Sequence, residues 1–415
     1  MSWIKGTAAD YIDLSNKLVA AATGQSLQTV DSFADDGASY VVGDVLTLSG
    51  GTSTVAAQVE VTAVSSGNIT AVRRVNDGVY TVPPSDPVST TGGTGSGCTL
   101  NCTFASNGWT ALADAVRTGS DRDVILQGSG GGTDEIFIGW RTFFSAGVGY
   151  YNWELHGFQG YSASLTYAEQ PGMSPGLYDG ADPSGSYLVS SNASQNYWFS
   201  ITPYRIIGVI QVGSSYLPFY LGFGNRFATS GEYPYPLMIA GCTSLFSAII
   251  STGMSALTDP SRSTSAAVRG PTQVLWVDGT WYGVANSSIS GSTRVALTDR
   301  VVIPTGLTNG GDDCGLEDRF MSSTGGFVEI ISRVTAAAAN LWNEGVGSTI
   351  LLLPCIVVFY SPSPQVVMEI DDVLWLSTFD GPANQDRVID GANVYRVFQN
   401  CARIETCSYL AIKEG

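Results

Sequence analysis

The feature that most constrains this fold is the punctuation of residues 40–104. "YVVGDVLTLSGG", "VAAQVEVTAVSSGN", "ITAVRRVNDGVYTVPP" and "GCTLNCTF" are short β-branched runs cut by Gly-Gly, Ser-Gly-Asn and Asn-Asp-Gly. β-Branched side chains suit a pleated backbone, and Gly and Asn supply the positive φ that tight hairpins require. Turns at strand-length spacing predict a small antiparallel β-module. Composition carries the argument to the rest of the chain. Only 13% of the 415 residues are charged, 44% are hydrophobic and 49 are Gly, a balance that favours folded β-structure over disorder or helical bundles. The expected class is mainly β: a multi-part, β-sandwich-like host region with a short N-terminal helix and an inserted small antiparallel β-module.

Around the module the pattern changes. Tyr11, Leu14 and Leu18 recur at helical spacing and Gly24 supplies a stop. Trp109, Leu112, Ala113 and Val116 also repeat like a helix, so the module is expected between two helical pieces of one host domain. "DVILQG", "EIFIGWRTF", "YYNWELHGF", "NYWFSITPYRIIGVIQVG" and "YLPFYLGFG" read as strands, "YPYPLMIAG" as a Pro-stiffened edge or loop, and "TQVLWVDGTWYGVAN" as a hairpin through Asp278-Gly279. The resulting division is an N-terminal helical segment at 1–26, the inserted module at 27–105, a central β-rich host domain at 106–250 and a C-terminal β-rich region at 251–415. An insertion needs its two ends close together, and its replacement by a short linker is expected to leave the host folded.

Charge and cysteine content narrow the function. Thirty-six acidic against 19 basic residues give a net charge of −17, which argues against a general nucleic-acid binder. The most apolar run, Ile350 to Tyr360, is broken by Pro354 and is far shorter than the ~20 residues that cross a bilayer, so a buried strand is expected, with no membrane insertion. "MSWIKGTAADYIDLS" lacks the apolar segment of a signal peptide, so the chain is expected to mature inside a cell. Seven cysteines do not make a secreted disulfide framework. Cys98 and Cys102 fall about 13 Å apart on one face of a straight strand, beyond disulfide reach. Cys401 and Cys407 could meet across a hairpin. Neither pair has CxxC spacing, and buried thiols are expected. No metal or cofactor is expected.

The single histidine, His156, lies in "GYYNWELHGFQGY". Read as a strand, Tyr151, Trp153 and Leu155 form a core stripe, while Asn152, Glu154 and His156 face water or a neighbouring subunit. A structural role is expected for the stretch, with His156 replaceable. A serine or cysteine hydrolase would have to recruit this same imidazole, and no G-x-S-x-G elbow joins a strand to a helix. Glycosidase chemistry needs only two carboxylates, for which Glu135, Glu154, Glu169, Glu232, Asp371 and Asp372 qualify by type alone. "GSGGGTDE" (128–135) lacks the Gly-Lys-Ser/Thr ending of a phosphate loop, and "NGGDDCGLED" (309–318) lacks the ligand order of a calcium loop. Both read as turns or polar loops. Tyr197 and Trp198, and Trp276, Trp281 and Tyr282, are the candidates for subunit-interface or glycan contact, against the competing reading of core rings.

Several of these stretches carry a resemblance. "DRDVILQGSGGGTDEIFIGWRTF", "GYYNWELHGFQGY" and "YRIIGVIQVGSSYLPFYLGFGNRFATSGEYPYPLMIAG" resemble consecutive segments of structural proteins from tailed bacteriophages and prophages. The module is similar to a small β-module of phage virion proteins, and "VLWLS…DGANVYRVFQN" resembles the end of such chains. The resemblance implies a non-enzymatic part of the tail, baseplate or tail-fibre apparatus, assembled in the host cytoplasm. It implies partners among copies of itself and other virion tail proteins. A receptor-binding protein for host-surface glycan is the alternative, followed by a capsule-degrading glycosidase and a capsid or collar decoration protein.

Overall fold

The computed structural model describes residues 1–117, 119–130, 135–146, 149–174, 186–226, 237–241, 272–275, 281–284, 295–299, 352–359, 365–377, 383–399 and 408–415. The chain is mainly β, as its composition implies. It opens on strand β1 (Ser2–Ala8) and turns into helix α1 (Tyr11–Thr23). The helical reading of 1–26 is therefore corrected at its start. Asp10 caps the helix there, its Oδ1 accepting from the Ile12 and Asp13 amides at 2.8 and 2.7 Å, so the helix cannot run back into β1. Gly24 ends it as expected, for a different reason. Its backbone is extended, and a Cβ would come within 2.7 Å of the Ala20 carbonyl oxygen as the chain turns directly into a strand.

The module follows as β2 (Gln25–Asp35), β3 (Val45–Leu48), β4 (Thr52–Val55), β5 (Gln58–Ser65), β6 (Asn68–Asn76), β7 (Val79–Val82), β8 (Val88–Thr91) and β9 (Thr99–Ser106). These form one eight-stranded sheet, in the order β4-β7-β2-β9-β8-β3-β5-β6. It folds over its own core, including Leu27, Leu46, Val59, Val61, Tyr80, Leu100 and the free thiols Cys98 and Cys102. Burial pushes the Cys102 thiol up to about 12, which keeps it protonated and unreactive. Gln25 lies opposite Ser106, so chain entry and exit are neighbours. The junction is pinned by a buried polar knot in which Ser2 and Ser26 both donate to Asn107 Oδ1, at 2.6 and 2.7 Å.

Five strands make the second sheet: β10 (Trp109–Val116), β11 (Arg122–Ser129), β12 (Glu135–Ser145), β13 (Tyr150–Phe158) and β14 (Ser186–Ser190). The helix expected from Trp109 to Val116 is instead β10. A bulge at Leu112 breaks its alternation. Trp109 therefore enters the main core while Leu112 and Ala113 pack under the opposite face, which mimics helical spacing in the sequence.

The third sheet takes β15 (Gln195–Thr202), β16 (Arg205–Val212), β17 (Ser215–Phe223), β18 (Asn225–Arg226), β19 (Leu237–Ala240), β20 (Thr272–Leu275), β21 (Trp281–Val284) and β22 (Val295–Asp299). It continues through β23 (Leu352–Phe359), β24 (Gln365–Ser377), β25 (Arg387–Asp390), β26 (Asn393–Gln399) and β27 (Ser408–Glu414), with β1 on its other side against β15. Leu237–Ala240 is an internal, fully buried strand instead of the edge or loop expected, and β19 pairs with β20, so the sheet continues across residue 250. Leu275 opposite Trp281 gives the pairing expected of the hairpin. Asp278-Gly279, 309–318, Cys401 and Cys407 lie outside the described residues.

One core joins these layers. Leu14, Leu18, Ala21 and Ala22 of α1 meet Trp140, Trp153 and Leu155 of the second sheet and Phe199, Phe219 and Leu221 of the third. Val79 of the module enters the same cluster. The module is thus part of the host's packing, and excising it is now expected to destabilise the host.

Candidate functional site

The polar face of β13 is the first place to look for chemistry. Asn152, Glu154 and His156 are all 0% exposed, which corrects the expectation that they face water or a neighbour. A lone antiparallel sheet would leave them wet, but Tyr187 of β14 reaches Glu154, and the segment from Gln159 to Ser174 folds back over His156. Ser174 pins its end, its N–H donating to the Gly157 carbonyl at 2.9 Å while its Oγ accepts from the Gly157 N–H at 3.2 Å. A single turn of 3₁₀ helix, Tyr167–Glu169, then lowers the Tyr167 ring onto the histidine. Gly139, opposite His156 on β12, leaves room for it, since a Cβ there would stand 3.1 Å from the Tyr167 hydroxyl and 2.5 Å from the Val124 carbonyl.

The resulting cluster is polar, closed and layered. The Tyr167 hydroxyl lies 3.0 Å from His156 Nδ1. His156 Nε2 is 3.9 Å from Glu154 Oε1, which accepts from the Tyr187 hydroxyl at 3.3 Å. Above Tyr167 sits the Arg141 guanidinium, 5.0 Å from the ring centroid and bonded through Nε and Nη2 to both oxygens of Asp123, at 3.1 and 3.0 Å. Burial, with the nearby positive Arg141, pushes the His156 pKa down to about 3. The imidazole is neutral, and burial holds the Tyr167 proton well above the ordinary phenol range.

Such a cluster can cross-link β12, β13 and the overlying segment. Among the described residues its inner members, Glu154, His156, Tyr167 and Tyr187, are buried, and only Arg141 and Asp123 at its outer end are part-exposed. The run Gly172-Met173-Ser174-Pro175-Gly176 has G-x-S-x-G lettering, but Ser174 is fully buried and follows a turn instead of a strand.

A second buried cluster joins distant strands. Arg205 of β16 is 0% exposed, and its Nε meets Asp371 Oδ1 at 3.0 Å while its Nη2 pairs with Asp372. Tyr204 donates to Asp371 Oδ2 at 2.9 Å. The carboxylates reach Arg205 because β24 bulges: Cys355 pairs with Ile370 and the preceding residue, Pro354, with Leu374. Asp372 takes a positive φ of 59° in that excursion. One visible signal was missed here. An arginine inside "YRIIGVIQV" and two aspartates inside "VMEIDDVLWL" are charges in apolar runs, and such charges are buried only when paired.

The remaining sequence candidates scatter. Glu135 is exposed and accepts from Gln127, and exposed Glu169 caps Thr166, so neither stands across a cleft from Glu154. Asp371 and Asp372 serve Arg205, and Glu232 lies outside the described residues. Tyr197 and Trp198 are core rings, 1% and 6% exposed, so they offer no surface to a glycan or a neighbouring subunit. Tyr197 stacks on Phe199 at 4.5 Å, and Trp198 packs against Phe398 and Tyr216 at 5.1 and 5.8 Å. Trp281 and Tyr282 lie in β21, and Trp276 is outside the described residues. Among the described residues no group of three or more His, Cys, Asp or Glu side chains is placed to hold a metal ion, and no helix there is long and apolar enough to cross a membrane.

Two buried groups give stability opposite pH slopes. A neutral His156 with a folded pKa near 3, against about 6.5 unfolded, contributes stability that is lost as pH falls from 6.5 towards 3. Asp77 is the reverse case. Burial pushes its carboxyl up to about 7 despite the Arg74 guanidinium at 3.0 Å, so its contribution is full below about pH 4 and lost as pH rises to 7. Each slope reaches at most ~1.4 kcal/mol per pH unit, and between pH 4 and 6.5 they offset. Urea unfolding across that range should show a steeper acid loss in Asp77→Ala than in the native chain. His156→Gln should flatten the acid loss while lowering stability near pH 7 by about 1–3 kcal/mol, because the Tyr167 contact is lost. Parallel pH profiles for the native chain and both variants would refute these assignments.

Comparison of the chain with protein-family models finds no match, and comparison with curated proteins finds none either.

Proposed function

We propose that this chain is a structural component of a tailed-phage virion, placed in the tail, baseplate or tail-fibre apparatus and acting through subunit packing. The observation that carries the reading is the use made of its buried polar groups. His156 with Tyr167 and Arg205 with Asp371 and Asp372 tie strands together inside the fold, where a catalytic group would need access to a ligand. The segments that resemble phage tail proteins supply the identity of the particle. The mainly β architecture suits a protein that must persist outside a cell. The glycan-binding alternative loses Tyr197 and Trp198 to the core and keeps only Trp276, Trp281 and Tyr282.

The reading is tested on particles. Purified virions should contain the chain in stoichiometric amount by mass spectrometry, and an antibody label should sit on the tail in electron micrographs. Purified protein incubated with bacterial polysaccharide should release no reducing ends. Absence from particles would overturn the structural reading, and turnover abolished by Glu154→Gln would replace it with an enzymatic one.

A further inference from the structure

β1 is a terminal strand of the fourteen-stranded sheet, hydrogen-bonded to β15 on one side and, among the described residues, to no strand on the other. An edge strand presents outward N–H and C=O groups at every second residue, a template on which another chain can add a strand. At Trp3 and Lys5 of β1 those groups are already taken. The Trp3 N–H donates to Asp77 Oδ2 at 2.6 Å, and the Trp3 carbonyl accepts from the Asp77 N–H at 2.7 Å. Two residues on, the Lys5 N–H donates to Asn76 Oδ1 at 3.4 Å, and the Lys5 carbonyl accepts from Asn76 Nδ2 at 3.0 Å. Both partners belong to the module's corner between β6 and β7.

The chemistry of that corner imitates a strand without being one. A side-chain amide is a peptide group cut free of the chain, with donor and acceptor side by side, so Asn76 reproduces the paired exchange of a ladder rung. It cannot propagate the ladder, because the backbone turns away at once. Gly78 takes φ +70°, and a Cβ there would come 2.6 Å from the Ala57 amide nitrogen. The corner is also held firmly. The Asp77 carbonyl accepts from the Leu27 N–H at 2.9 Å, Arg74 pairs with its carboxylate, and Asn76 and Asp77 are 5% and 0% exposed.

We propose that the Asn76–Asp77 corner is a built-in edge cap, which keeps a second copy of this chain from adding its own β1 to the sheet at Trp3 and Lys5. A second copy is the fitting occupant because β1 carries one charged residue, Lys5, and two such edges can pair antiparallel about a two-fold axis. This gives the module a task within the host that is independent of where the chain sits in a particle.

The test uses the full chain. In Asn76→Ala/Asp77→Ala, hydrogen exchange at the Trp3 and Lys5 amides, measured in dilute solution, should accelerate by about tenfold or more. The Ile4 and Gly6 amides, which alternate towards β15, should stay slow. Light scattering should show the mass rising towards that of a dimer as concentration increases. Adding Thr7→Pro removes an outward N–H further along the same edge, and should restore the monomer while the Trp3 and Lys5 amides remain fast. Should the double variant lose its near-ultraviolet circular dichroism, Asn76→Ala alone is the readout, with Lys5 accelerated and Trp3 unchanged. A folded variant that stays monomeric at every concentration would overturn the proposal. So would association that Thr7→Pro does not suppress, or a single variant in which the two amides change together.

Discussion

Trp153→Ala is expected to lower stability by about 3–5 kcal/mol, the usual loss when a buried aromatic is truncated. Trp153 is fully buried and stacks on Trp140 with ring centroids 5.5 Å apart and planes 10° from parallel. Its other neighbour, Phe219, lies 6.3 Å away on the opposite sheet, and its Nε1 donates to the Tyr11 carbonyl at 3.0 Å. One side chain thus touches both sheets and the start of α1. Truncation leaves a cavity where the layers meet and removes the indole donor that ties β13 to the first turn of α1. Trp153→Phe keeps a ring and loses the hydrogen bond, so it should cost about 1–2 kcal/mol. Urea unfolding followed by far-ultraviolet circular dichroism checks both. A loss under 1 kcal/mol for the alanine variant would show that the layers close without this ring.

Arg205→Met should be nearly as damaging, at about 3 kcal/mol. The substitution itself suits an apolar site. The damage comes from Asp371 and Asp372, left adjacent and half-buried without the guanidinium that offsets them. Lys413, 3.6 Å from Asp372, can relieve only part of that repulsion. Adding Asp371→Asn and Asp372→Asn to Arg205→Met should therefore recover most of the lost stability, although three native charges are then gone. Failure to recover any would mean that Arg205 acts through packing alone.

Much of the architecture is legible in the amino-acid sequence. Turn chemistry in residues 40–104 marks the module, because tight turns need positive φ, and Gly67, Gly78 and Gly92 take such angles. Helix α1 follows from apolar spacing and a stop, and the long aromatic strands follow from β-branched and aromatic runs. These are local properties, set by backbone sterics and by which residues can share a face. They were also where the sequence misled. A one-residue bulge in β10 shifts the alternation and counterfeits a helix, because period is the whole of the signal.

The candidate site was legible only in part. The alternation of β13 correctly separated Trp153 and Leu155 from Asn152, Glu154 and His156, yet it could not say that the second face is also buried. At His156 that was decided by the segment from Gln159 to Ser174, whose Tyr167 reaches the imidazole, and at Glu154 by Tyr187 of β14. The same holds for Arg205, whose partner Asp371 lies 166 residues away, and for Trp3 and Lys5, whose partners Asn76 and Asp77 come from another sheet. The sequence by itself determined that the chain is built of strands and which stretches form many of them, since each depends on neighbours a few residues away. Only the tertiary structure decided which polar faces are sealed and which edge is closed. Burial and hydrogen bonding belong to whatever packs against a strand, and no periodicity within the strand encodes that partner.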